Sequence, residues 1–140
     1  MNRILIDTMH LIGLFKDDSY QELAAAISDG ELEVICSVIS LTELTKILGM
    51  KDEDRMRIVR QELLSSRIVF VNVTRTIAMQ AGDLRLKYDI PTSDSVIAAT
   101  GIVGNTTNVL TDDTRHFKTI KKLIKIIDLE TAIRLAKPHR

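Results

Sequence analysis

The spacing of hydrophobic and polar residues along the chain predicts short strands that alternate with helices. Five short runs are apolar without alternation, as expected when helices cover both faces of a parallel sheet. We predict strands at residues 3–7, 33–37, 68–73, 108–111 and 124–127. Because helical segments separate the strands, the pattern indicates an α/β domain with a mostly parallel five-stranded sheet flanked by helices.

The same pattern predicts helices at residues 9–15, 19–28, 40–48, 51–66, 74–87, 92–104 and 129–136. The third of these begins at Ser40-Leu41-Thr42-Glu43, which fits a capping box in which Ser40 and Glu43 bind backbone amides. The helix after Pro91 is apolar from residue 96 to residue 100, which is typical of an interior helix. We expect the side chain of Thr92 or Ser93 to cap it.

The composition changes this picture little. A chain of 140 residues with 45% hydrophobic and 27% charged residues suits one folded domain, with a core at about residues 3–130 and a frayed C-terminal tail. Nineteen basic and nineteen acidic residues cancel, which argues against coating nucleic acid by bulk charge. The lone cysteine, Cys36, excludes an intramolecular disulfide, and the N-terminal apolar run is too short to span a membrane. We therefore expect a soluble cytoplasmic protein.

Acidic residues follow two of the predicted strands. Asp7 comes after the first strand, and Asp112 and Asp113 come after the fourth. Glu43 and Asp94 are predicted in the first turns of helices that begin at the same carboxyl edge of the sheet. Carboxylates a few ångströms apart repel by about 4 kcal/mol at an effective dielectric constant near 20, so such a cluster needs protons or a cation. Oxygen ligands favour Mg²⁺ or Mn²⁺.

Each acid also has a purely structural interpretation. Glu43 can serve in the capping box, and Asp94 can interact with the helix dipole. Asp7 can turn the chain after a strand, while Asp112 or Asp113 can cap the loop before Arg115. Their joint placement at one sheet edge favours a shared metal site over four separate structural roles.

Four segments of the sequence together resemble the motifs of PIN-domain nucleases, most closely the VapC-type toxins of VapBC toxin–antitoxin pairs. The resemblance covers about residues 3–130. Its most specific parts are an Asp-x-x-Ile-Ala-Ala-Thr helix and a Thr-x-Asp-x-x-x-Phe stretch. The segments that carry it are residues 5–8, 40–44, 93–100 and 110–117.

This resemblance implies a three-layer PIN-like fold and an endoribonuclease that depends on Mg²⁺ or Mn²⁺. The acids that match the family's catalytic and metal-binding positions are Asp7, Glu43, Asp94 and Asp113. Thr8 and Thr111 match supporting hydroxyls. The fourth acidic position varies in the family, so Asp112 stays a rival to Asp113. The implied partners are an RNA substrate, a small VapB-like antitoxin and a second copy of the chain.

A local basic stretch follows the fourth motif and offers positive charge for RNA. Its candidate RNA-binding residues are Arg115, Lys118, Lys121 and Lys122. A solvated helix face is an equally good interpretation of this stretch. Two other functions compete with the toxin: a PIN nuclease of RNA processing, and a PIN-fold binding module without turnover. A haloacid dehalogenase-like phosphatase is disfavoured, since Met9 stands where that class has a second aspartate.

Overall fold

A computed structural model describes residues 1–136 of the chain. Its centre is a five-stranded parallel sheet with the strand order β3-β2-β1-β4-β5. The strands are β1 (Arg3–Ile6), β2 (Glu33–Ser37), β3 (Val69–Val71), β4 (Asn108–Leu110) and β5 (Lys125–Ile127). The predicted parallel sheet is confirmed, and each strand lies within the bounds expected from the sequence.

Helices flank this sheet. They are α1 (Thr8–Gly13), α2 (Gln21–Ser28), α3 (Ile39–Gly49), α4 (Glu53–Leu64), α5 (Arg75–Lys87), α6 (Thr92–Val103), α7 (Thr114–Phe117) and α8 (Leu129–Ala136). Short 3₁₀ turns precede α2 and follow α7. None of the helices within residues 1–136 is both long enough and apolar enough to cross a membrane.

The two faces of β1 contact two separate parts of the core. Ile4 and Ile6 pack in one hydrophobic cluster with α2, α4 and α8, whereas Leu5 packs in the other with α5 and α6. All three side chains are fully buried. Because successive residues of a strand point to opposite faces, this alternation shows that helices cover the sheet on both sides. The apolar run in β1 therefore reflects its central position.

Helix α6 lies very close to the chain segment that leads into β4. A Cβ atom at Gly101 would lie 2.5 Å from the carbonyl oxygen of Thr106 and 3.1 Å from the side chain of Leu5. The small residues of α6 thus allow it to sit against the sheet, and residues 95–101 are all buried. The prediction of an interior helix after Pro91 is confirmed.

Two predicted helix caps are wrong. Helix α3 begins at Ile39 after Val38, which makes no side-chain cap, so Ser40 lies within the helix and Glu43 lies beyond its first turn. Helix α6 begins after Pro91, again without a side-chain cap. The fixed φ of proline suits a helix start without help from Thr92 or Ser93. The predicted frayed tail extends into residues 137–140, which lie outside the described residues.

The order of the strands determines where a site can form. The chain runs from β1 outward through β2 to β3, and then returns to place β4 on the other side of β1. Open α/β sheets bind ligands beyond the carboxyl ends of the strands at such a reversal. The crevice at this reversal is flanked by the residues that follow β1 and β4.

Candidate metal centre

Asp7 lies at the junction of β1 and α1. Its backbone N–H donates to the carbonyl of Leu110 at 3.1 Å, and its Oδ1 accepts from the backbone N–H of His10 at 3.0 Å. These contacts fix a carboxylate that is 8% exposed. Burial raises the pKa of Asp7, while hydrogen bonds from the Thr111 hydroxyl and the His10 backbone act in the opposite direction.

Two threonine hydroxyls connect the acidic residues. Thr111 bonds to the Asp7 carboxylate, and its Oγ1 accepts the backbone N–H of Asp113 at 3.0 Å. Thr8 Oγ1 lies 2.6 Å from Oε1 of Glu43 and 2.9 Å from Oγ of Ser40. Since a carboxylate can only accept, Thr8 donates its proton to Glu43. Glu43 is thus oriented by β1 and α1, and it has no part in a capping box.

Asp94 and Asp113 form a tight group with His116. The imidazole Nδ1 lies 2.9 Å from Oδ2 of Asp113 and 3.3 Å from Oδ2 of Asp94. One ligand atom from each of the three residues lies within 4.8 Å of the others. Asp94 reaches this position from the first turn of α6, and Asp113 as the residue that caps α7.

The pKa values of Asp94 and Asp113 are shifted in opposite directions. Burial, together with the adjacent Asp113, raises the pKa of Asp94 to about 7. Burial also acts to raise the pKa of Asp113, but hydrogen bonds from His116 and Asp94 outweigh it and hold that pKa below its ordinary value. In the absence of a cation the pair therefore shares one proton.

All four predicted acids line one small cavity of about 130 Å³. Its walls are formed by Asp7, Thr8, Met9, Glu43, Ile47, Asp94, Ile97 and Asp113. No lysine or arginine is among these residues. The structure thus brings together side chains from four separate segments of the chain, at the carboxyl edge of β1 and β4.

The donor set of this cavity fits a divalent cation. Carboxylates are hard oxygen ligands, and four of them around one small space leave negative charge that the surrounding side chains do not neutralise. Burial and the adjacent Asp113 raise the pKa of Asp94 to about 7, so it is costly to ionise all of these carboxyl groups without a cation. A bound divalent cation would offset that cost. Asp7, Glu43, Asp94 and Asp113 are the residues present that could hold it.

Comparison with known protein families identifies the family of this chain. The family model for the PIN domain matches residues 4–123. The chain belongs to the PIN domain family. A comparison with curated protein sequences finds no significant match.

Solved structures with this fold include several VapBC complexes. The chain resembles VapBC2 of Rickettsia felis bound to a promoter DNA fragment, with 21% identity and a TM-score of 0.73 over 91% of this chain and 98% of that one. It also resembles DNA-bound VapBC of Salmonella typhimurium, with 22% identity and a TM-score of 0.74 over 92% and 99%. At these identities the likeness concerns the fold.

Asp112 and Asp113 point in different directions in this PIN domain. Asp113 lines the acidic cavity, whereas the Asp112 side chain is 82% exposed. Asp112 Oδ1 lies 3.1 Å from Nε2 of the buried His10, close enough for an ion pair if the imidazole is protonated but without hydrogen-bond alignment. His10 in turn contacts the hydroxyl of Tyr20 through Nδ1 at 2.7 Å. Asp112 thus connects the loop after β4 to α1.

The basic residues predicted to bind RNA lie outside the acidic cavity. All four are exposed, and Arg115 lies on α7 beside His116. His116 was not predicted from the sequence to be part of the acidic site. Its contact with Asp94 and Asp113 was missed, although the Asp-x-x-His spacing places two side chains on one side of a helical turn. The role of Lys118, Lys121 and Lys122 stays a prediction.

Proposed function

We propose that this PIN domain is an endoribonuclease that depends on Mg²⁺ or Mn²⁺. The observation that carries the proposal is the cavity in which four carboxylates meet with no lysine or arginine among the lining residues. PIN domains are generally nucleases, and the family assignment agrees with this chemistry. A divalent ion held there supplies a Lewis acid that activates water and screens the charge of a phosphodiester.

The residues of the site divide the work of holding and orienting that ion. Asp7, Glu43, Asp94 and Asp113 supply its oxygen ligands in this proposal. Thr8 fixes Glu43 with a 2.6 Å hydrogen bond, so that this flexible side chain loses little further freedom when the ion binds. Thr111 keeps the Asp7 and Asp113 segments in register through its hydroxyl group.

We further propose that the chain acts as the toxin of a toxin–antitoxin pair. The structural neighbours include VapBC complexes and a toxin–antitoxin complex from Klebsiella pneumoniae. The similarity covers 97–99% of the neighbouring chains from Klebsiella, Salmonella and Haemophilus. The partners that this proposal implies are a small VapB-like antitoxin and a second copy of the chain, in the cytoplasm. A PIN nuclease of RNA processing is the alternative with the same chemistry.

An RNA cleavage assay tests the enzymatic part. Purified protein should cleave single-stranded RNA in Mg²⁺ or Mn²⁺ and not in EDTA, and Asp94→Asn should abolish cleavage. Glu62→Gln is a matched control, because Glu62 is an exposed acid on α4, far along the chain from the site segments. If the wild-type protein binds RNA and leaves it intact with either metal, the chain is instead a binding module without turnover.

Co-expression tests the toxin part. Expression of the chain alone should arrest growth, and expression together with the neighbouring open reading frame should restore it. Asp94→Asn should remove the arrest without the neighbour. Cleavage in vitro without growth arrest in the cell would favour the nuclease of RNA processing.

A further inference from the structure

A second cavity lies next to the acidic one and has the opposite character. It measures about 340 Å³ and is lined by Arg85, Asp89, Ile90, Pro91, Arg115, His116 and Thr119. We call it the arginine cleft. His116 belongs to its wall and also contacts Asp94 and Asp113 through Nδ1. The imidazole therefore lies between the arginine cleft and the acidic cavity.

The two arginines reach the cleft from different elements and are prepared to bind an anion. Arg85 lies at the end of α5, and its Nε donates to the carbonyl of Ile90 at 3.2 Å. This bond fixes the plane of the guanidinium and leaves its two terminal nitrogens available. Within residues 1–136, neither Arg85 nor Arg115 makes an ion pair with a carboxylate. A fixed guanidinium with free terminal N–H groups matches the geometry of a phosphate.

We propose that the arginine cleft binds a backbone phosphate of the RNA next to the one that is cleaved. The inference rests on the proposed nuclease function, since it places the two phosphates on either side of His116. Asp89 is the one acidic side chain of the cleft, and it limits the positive charge there. The three lysines of the basic stretch do not line the cleft. Of the four residues predicted to bind RNA, only Arg115 lines the cleft.

The two arginines also offset the electrostatic repulsion between the acidic site and the RNA backbone. Four carboxylates repel the RNA backbone, and the metal neutralises only part of their charge. Two arginines beside the cavity attract the backbone without entering it, so they strengthen RNA binding and leave the ligand set of the metal unchanged. Arg85 could not be found from the sequence, because it lies far along the chain from Arg115 and joins it only through the fold.

Binding to a labelled single-stranded RNA octamer tests the proposal. The affinity is measured in Ca²⁺ at several salt concentrations, with a gel to verify that the RNA stays intact. Arg85→Gln and Arg115→Gln should each weaken binding about 5- to 10-fold at low salt and reduce the slope of log K against log salt by about 0.7 per lost contact. Asp89→Asn should strengthen binding. The matched control is Arg55→Gln on the exposed face of α4, which should keep the wild-type slope.

Cleavage kinetics distinguish failure of this inference from failure of the proposed function. If the wild type cleaves RNA and the two arginine variants raise KM with kcat nearly unchanged, the cleft binds substrate. If the wild type cleaves and both arginine variants match Arg55→Gln in KM and salt slope, the cleft has no such role. A wild type without cleavage would reject the nuclease, and the binding slopes would still decide whether the cleft holds a phosphate.

Discussion

Replacing Asp94 with asparagine should stabilise the metal-free protein at alkaline pH. The introduced side-chain amide can donate to Asp113 as the protonated Asp94 carboxyl does, and it keeps its protons at every pH. In the wild type, the pKa of Asp94 is raised to about 7, so the carboxyl loses its proton above neutral pH and then repels Asp113. The substitution removes this repulsion and, in the same step, one proposed ligand of the metal.

The magnitude follows from the geometry. A rise of the pKa from 3.8 to about 7 corresponds to at most about 4 kcal/mol at 1.36 kcal/mol per unit, and solvent screening of this half-buried carboxyl group lowers that value. Two charges at the 4.8 Å limit of the group repel by about 3.5 kcal/mol at a dielectric constant of 20. The lowered pKa of Asp113 stabilises the folded state and offsets part of the cost at Asp94, because the two carboxyl groups are coupled. We therefore expect a net effect of about 2 kcal/mol, or about 5 °C in Tm for a domain of this size.

The sign depends on pH. The folded protein holds the Asp94 proton more tightly than the unfolded chain, so the free energy of unfolding of the wild type falls as pH rises from about 4 through about 7. In EDTA, Asp94→Asn should melt about 5 °C above the wild type near pH 8 and close to it near pH 4, the ordinary pKa of an aspartate. Mn²⁺ should raise the Tm of the wild type near pH 8 and barely affect the variant.

Thermal melts at the two pH values, with EDTA or Mn²⁺, measure all of these effects. Asp83→Asn is the matched control, because Asp83 is an exposed acid on α5 outside the site. It should follow the wild type in every condition. A variant at position 94 that melts below the wild type near pH 8, and that responds to Mn²⁺ as the wild type does, would refute the reasoning.

Three further predictions concern the other acids of the site and the packing of two helices. Glu43→Gln should keep its stability in EDTA and lose RNA cleavage, since Glu43 caps no helix; a loss of about 1 kcal/mol with cleavage intact, measured by denaturant melts, would restore the capping box. Asp113→Ala should reduce cleavage more at limiting than at saturating Mg²⁺, whereas Asp112→Ala should stay close to the wild type at both; the reverse order in a Mg²⁺ titration would exchange their roles. Gly101→Ala should destabilise the fold by more than about 2 kcal/mol because its Cβ meets the Thr106 carbonyl at 2.5 Å, whereas Gly82→Ala, with open space around it, should stabilise α5 by about 0.5–1 kcal/mol in the same melts; equal effects of the two would contradict the packing.

Much of the fold could be predicted because the apolar pattern records burial directly. Helices on both faces of β1 require Ile4, Leu5 and Ile6 all to be apolar, and such a run is visible in the sequence. The predicted capping box was wrong because a local side-chain pattern does not determine where a helix begins. A Ser-x-x-Glu pattern supplies the side chains that a capping box needs, but α3 already begins at Ile39, whose backbone N–H donates to the hydroxyl of Ser37.

The sequence predicted that the four acids lie together, and they line one cavity, but some of their contacts were missed. Strand ends and a parallel sheet suffice to place Asp7 and Asp113 at one edge, since the carboxyl ends of parallel strands lie together. The direction of a side chain could not be predicted, because it depends on the backbone conformation around the residue. The hydrogen bond of Thr8 to Glu43 and the contact of His116 with two carboxylates both depend on that conformation.

The sequence by itself thus determined the order of strands and helices, the acidic residues and their shared edge, because these follow from local periodicity and from strand direction. Only the tertiary structure decided that Asp113 lines the cavity while Asp112 lies toward solvent near His10. It alone brought Arg85 beside Arg115, about thirty residues later in the chain. The physical reason is that a sequence pattern fixes which face of an element is buried, whereas contacts between distant elements depend on how those faces pack.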